Sequence, residues 1–213
     1  LEGDFGSDWL ENLELGLKLT SLEGRLQVNA SIYQITWDRV PQVVTAETIT
    51  CFDAIAVNAG EAVSRGVEIE TQFYLTQDLR VDLGGSYKNS EFTEDAPQAN
   101  VLDGQRLPGS ADYTAYARLQ YEYDLNGHPS FFRGGYSYMG NYYNNLQETG
   151  DELGGYGTLN ISAGINIDKV DLEFFASNLT NVDEFSWIDS VTPGNRGYRI
   201  RPRTLGLNIG YQF

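Results

Sequence analysis

Four arginines, Arg196, Arg199, Arg201 and Arg203, fall within the ten residues of GNRGYRIRPR and form the one basic cluster in this chain. A guanidinium presents a planar fork to carboxylate or phosphate oxygens. Trp187 and Tyr198 stand beside the cluster and offer flat contact area at small entropic cost. Trp37 with Arg39, and the run Tyr142, Tyr143, Asn144, Asn145, combine the same residue types. Leaving aside Arg201 and Arg203, these ten positions suit capture of a small ligand on loops. The arginines would serve equally well against lipid phosphates, and the aromatic residues could stack on one another.

Catalysis finds little to work with. His128, the only histidine, lies in the turn-like LNGHP, so no His-dependent triad or multi-His zinc site has a second candidate. Cys51 is the only cysteine, which rules out an internal disulfide and any Cys-based metal centre. Glu148, Asp151 and Glu152 in QETGDE read as a solvated acidic loop, and their spacing fits no calcium loop. The sequence therefore predicts no catalytic residue, no metal site and no cofactor. NAS, NIS and NLT match glycosylation sequons by pattern alone and fall in or at the ends of strand-like segments.

Acidity narrows the partners. With 30 Asp+Glu against 14 Lys+Arg the net charge is −16, so nucleic acid is not an expected partner. No run of 18 apolar residues is present, which excludes a transmembrane helix but not a barrel, whose strands need only about ten alternating residues. The opening LEGDFGSDWL lacks Met, a basic stretch and an apolar stretch, as expected if a leader has been removed or earlier sequence is missing.

What must position the candidate residues is strands. Period-2 alternation recurs nine times, as in Leu13, Leu15, Leu17, Leu19 against Glu14, Gly16, Lys18, and in Val67, Ile69 against Glu68, Glu70. The closing RTLGLNIGYQF places Leu205, Leu207, Ile209, Tyr211 and Phe213 on one side. One set of faces carries no charge at its central positions. The opposite set carries Glu14, Lys18, Glu68, Glu70, Arg80, Asp82, Lys88, Arg118, Glu122, Asp171 and Glu173. So ionic a face cannot be the packed core of a small domain, but it suits the wall of a wet or plugged lumen. Tyr87, Tyr121, Tyr123, Tyr136, Tyr138 and Tyr142 would form interfacial girdles.

The links alternate in length. Those at 20–24, 76–78, 124–129 and 168–169 are short; those near 38–60, 92–112, 143–155 and 181–202 are long. In an up-and-down sheet this sorts every long link to one rim, as in outer-membrane barrels. The expected fold is therefore all-β: an antiparallel up-and-down transmembrane β-barrel, of which about nine strands are present. An odd count and a wide ionic lumen imply that earlier strands precede these.

The order and spacing of LENLELGLKLTSLEGRLQVNASIYQITWDRV, NAGEAVSRGVEIETQFYLTQDLRVDLGGSYKNSEFTE, GQRLPGSADYTAYARLQYEY, YGTLNISAGI, FFASNLTNV and PRTLGLNIGYQF resemble the C-terminal part of the barrel of a TonB-dependent outer-membrane receptor over nearly all 213 residues. The resemblance implies a 22-stranded barrel of which residues 1–213 supply the last nine strands, with an N-terminal plug and earlier strands outside this sequence. It implies location in the bacterial outer membrane, contact with outer-membrane lipid and lipopolysaccharide, and TonB-energised uptake of a scarce ligand such as a ferric siderophore. The loop residues above would capture that ligand, while Glu68, Glu70, Arg118 and Glu122 would face the plug. The terminal residues Leu205, Leu207, Ile209, Tyr211 and Phe213 resemble the signal read by the barrel-assembly machinery. A passive porin, or a barrel of another class without a plug, is the alternative; an enzyme is not expected.

Overall fold

The computed structural model describes residues 5–48, 51–146, 152–189 and 196–213. Among the described residues there are thirteen strands: β1 (Trp9–Ser21), β2 (Leu26–Asp38), β3 (Pro41–Thr48), β4 (Cys51–Asn58), β5 (Ala62–Tyr74), β6 (Leu79–Phe92), β7 (Tyr113–Leu125), β8 (His128–Met139), β9 (Tyr156–Ile167), β10 (Val170–Ser177), β11 (Phe185–Asp189), β12 (Arg196–Arg199) and β13 (Thr204–Tyr211). Nine form one antiparallel sheet in the order β1-β2-β5-β6-β7-β8-β9-β10-β13. The other four are two hairpins, β3/β4 and β11/β12, inserted into long links. The nine-stranded sheet is thus an open arc of barrel wall, as the alternation predicts, whereas both hairpins were expected only as loop.

Register locks the alternation into two continuous faces. Leu15 stands opposite Ile32, Ile32 opposite Val67, Val67 opposite Tyr87 and Tyr87 opposite Tyr113. At the other edge Ile165 meets Leu172 and Leu172 meets Ile209. Because side chains alternate strictly, a slip of one residue would turn each of these apolar rows into the lumen. The intervening rows are polar, as in Thr20, Gln27, Gln72, Asp82 and Arg118. Apolar side chains on the first face stay exposed within this chain, among them Leu13 at 75%, Leu15 at 71% and Ile209 at 68%. So continuous an exposed apolar face suits contact with hydrocarbon.

Short turns follow ordinary turn chemistry. Between β7 and β8 the pair Asn126–Gly127 has φ of +56° and +88°, the signature of a two-residue primed hairpin turn. Thr76 Oγ1 accepts the backbone N–H groups of Asp78 (3.2 Å) and Leu79 (3.1 Å) between β5 and β6.

The buried core does not lie on either face of the sheet. It lies at the rim that bears the long links. Val40, Val57 and Ala59 from the β2–β5 link pack with Ala62, Phe92, Ala96, Ala99, Val101 and with Leu146 from the β8–β9 link. A second cluster joins Ala111, Tyr142, Leu153 and Ile188. All four long links are therefore held in one cap.

A candidate ligand site at the loop-bearing rim

Each candidate loop residue can be placed on this cap. The β11/β12 hairpin presents the exposed pair Trp187 and Tyr198, whose ring centroids lie 5.8 Å apart at 42°. The pair flanks the hairpin's irregularity between Phe185 and Trp187. Arg199 lies on the same hairpin. Its guanidinium carbon sits 4.2 Å from the Phe185 ring centroid and Nη1 is 2.6 Å from Asp183 Oδ1. Arg196 is exposed on β12. Four of the ten residues thus converge on one hairpin.

Arg201 and Arg203 serve the base of that link. Asn178, itself buried, donates from Nδ2 to the carbonyls of Val182 (2.8 Å) and Arg201 (3.0 Å) and accepts the Val182 N–H (3.0 Å). The Arg203 N–H donates to Asn181 Oδ1 at 3.1 Å. The basic cluster is therefore divided between an exposed hairpin and a pinned base.

The remaining candidates bind the cap together. Tyr142, expected on the girdle and as a loop contact, does not continue β8, which ends at Met139. It bridges Leu153 through paired backbone bonds of 2.8 Å and donates its hydroxyl to the Ser186 carbonyl at 2.7 Å. Only 9% of it is exposed. Burial pushes its phenol above the ordinary value, and nearby Tyr156 adds to the effect. Tyr142 is thus a tie between links and not a girdle residue. Asn144 donates to the Ile188 carbonyl, and the Tyr143 carbonyl accepts the Gly109 N–H at 2.6 Å. Asn145 belongs to the same link. Trp37 lies on β2 and not in the loop, packs against the first cluster and donates to Asp8 Oδ2 at 2.7 Å. Arg39 has φ of +54° and pairs with Asp38 at 3.2 Å. Glu148 and Asp151 lie outside the described residues, as does the Cys51 side chain.

Below the cap is the polar wall. Glu68, Glu70, Arg118 and Glu122 all lie on the polar face and are exposed there, but they do not pair with one another. Arg80 instead meets Asp82 at 3.2 Å and Gln120 at 3.4 Å, and Gln120 donates to Glu122 at 2.7 Å. Arg118 stacks over Tyr116 at 4.7 Å and Arg133 over Phe131 at 4.1 Å. Those rings need glycine beneath them: a Cβ at Gly84 would lie 2.2 Å from the Tyr116 ring, and one at Gly164 2.3 Å from Phe131. Arg133 was missed by sequence reasoning, although Phe132 facing outward dictates that it faces in.

Residues 10–182 match the family model described as TonB dependent receptor-like, beta-barrel. The metal-pseudopaline receptor CntO of Pseudomonas aeruginosa is 25% identical over 210 residues, covering 93% of this chain and 27% of the relative. Among solved structures, the ferric yersiniabactin uptake receptor FyuA from Yersinia pestis superposes with a TM-score of 0.80 at 20% identity, over 97% of this chain and 30% of that one. BauA, the ferric preacinetobactin receptor from Acinetobacter baumannii, gives 0.73 at 22% identity, over 96% and 29%. These superpositions show a shared fold, and this chain spans less than a third of the length of these relatives. With its open arc of alternating strands, the chain belongs to the TonB-dependent receptor family, as part of an outer-membrane β-barrel.

Proposed function

We propose that this chain is the C-terminal part of a receptor that imports a metal chelate, such as a ferric siderophore, with energy delivered through TonB. The observation that carries the reading is the Trp187–Tyr198 pair with Arg196 and Arg199 on an exposed hairpin of the loop cap, above a polar wall. Exposed aromatic surface beside guanidinium groups suits an anionic chelate. The names of the relatives, receptors for metal-pseudopaline, ferric yersiniabactin and ferric preacinetobactin, support the same ligand class. In this reading an N-terminal plug and earlier strands complete a 22-stranded barrel, and the plug rests against Glu68, Glu70, Arg118 and Glu122. Leu205, Leu207, Ile209, Tyr211 and Phe213 act as the signal captured by the barrel-assembly machinery.

Uptake by cells carrying the full-length receptor tests this. Radioactive iron is supplied as hydroxamate, catecholate and carboxylate chelates under iron limitation. At least one chelate is expected to enter in a TonB-dependent manner, and Trp187→Ala with Tyr198→Ala should weaken its binding by about tenfold or more. Uptake that persists unchanged without TonB would overturn the reading in favour of a passive pore.

A further inference from the structure

Arg65 is the one lysine or arginine that the register of the nine-stranded sheet turns outward. It shares the outward side of β5 with Val67 and Ile69. It lies eight residues from Phe73, near the short-turn rim. At about 3.4 Å per residue and a tilt of about 40°, that is roughly 20 Å along the membrane normal, close to the top of an apolar band about 25 Å tall. Its row neighbours are Gln34 and Asn89, both uncharged. Nε donates to Gln34 Oε1 at 2.8 Å, which holds the guanidinium on this face. Among the described residues no carboxylate pairs with it. The outward carboxylates Glu11 and Glu91 lie one row farther from the band.

Two rows below Arg65, past the row of Val67, the outward face is hollow. The row Leu17, Ala30, Ile69, Gly85, Ala115 contains three small residues, so the surface dips into an apolar groove. Ile32, Val67, Tyr87 and Tyr113 bound it on the Arg65 side. A hydrocarbon channel with an unpaired cation and two amides one apolar row above its edge matches an amphiphile with acyl chains below and a phosphate above. The rim in question carries the long links, which face outward in outer-membrane barrels.

We infer that Arg65 and this groove form a seat for lipid A, the phosphorylated acylated moiety of lipopolysaccharide. Phosphate lies on the guanidinium and the flanking amides, and an acyl chain lies over Ala30, Gly85 and Ala115. The inference uses only the outer-membrane location and stands apart from the import reading, so either can fail alone.

The test is lipid retention by the delipidated full-length receptor, followed by native mass spectrometry during titration with lipid A or phosphatidylethanolamine. Wild type should hold one lipid A in preference to phosphatidylethanolamine. Arg65→Gln should weaken lipid A by about tenfold or more, Arg65→Lys should restore part of the loss, and Ala115→Leu should block the groove. The inward Arg133→Gln should leave retention unchanged. Gel mobility before and after heating confirms that each variant is folded. Equal retention by wild type and Arg65→Gln, no effect of Ala115→Leu, or equal binding of both lipids would overturn the inference. So would a lipid-free dimer that buries the groove.

Discussion

Ile69 and Glu70 are neighbours on β5 whose side chains point to opposite faces, so one substitution at each tests which face meets lipid. Ile69 lies four residues from Phe73. At about 3.4 Å per residue and a tilt of about 40° it sits roughly 10 Å inside the band, near its midplane. An arginine there should cost about 2–4 kcal/mol, or about 30- to 900-fold in the folding equilibrium. Glu70→Arg, on a wall already lined with charge, should cost less than about 1 kcal/mol. Guanidinium unfolding of the full-length receptor in lipid vesicles, followed by tryptophan fluorescence, gives both values in one assay. If Glu70→Arg proved as damaging as Ile69→Arg, the assignment of faces would be wrong.

Other perturbations address the cap and its base. Asn178→Ala removes three hydrogen bonds at a buried site and should cost about 1–3 kcal/mol locally, read as faster protease cleavage of residues 178–203 on intact cells. Gly154→Ala should dislodge the bridge between Tyr142 and Leu153, because φ is +82° and the new Cβ would lie 2.0 Å from the Gly140 carbonyl oxygen; cleavage within 140–155 should rise while the barrel stays folded. Gly84→Val should displace Tyr116 and unstack Arg118, lowering the unfolding midpoint more than Gly134→Val, whose Cβ would meet only the Phe132 ring at an ordinary 3.6 Å. Removing Phe213 should reduce the folded fraction in the outer membrane several-fold, measured by heat-modifiable mobility, with a smaller effect on refolding in vitro.

Strands were legible because period-2 alternation assigns every side chain to a face before any contact is known. That is why Leu17 and Ile209 fall outward while Glu70 and Asp82 fall inward as expected. Long links were legible only as lengths. The hairpins within them escaped because β11 and β12 are short, and because β3 and β4, though eight residues each, set Val43 beside Val44 and run Ala54, Ile55, Ala56, Val57 without a period of two. The rim core escaped for a different reason. Phe92, Val40 and Leu146 meet only after the sheet has brought distant segments to one edge, and no local pattern marks them. Tyr142 misled because in the sequence it continues the even spacing of Tyr136 and Tyr138. The strand stops at Met139, and Gly140 follows with the Tyr113 carbonyl 2.9 Å from where a Cβ would sit.

The shared hydrophobic packing of the links constrains how such receptors can be re-engineered. Grafting one segment, such as 93–112, from another receptor would strip Ala96, Ala99 and Val101 from beneath Val40 and Leu146, uncovering oily surface on neighbours that were never exchanged. Recognition is therefore not modular here: a transplant that keeps the receptor sound must carry all the long segments as a single block.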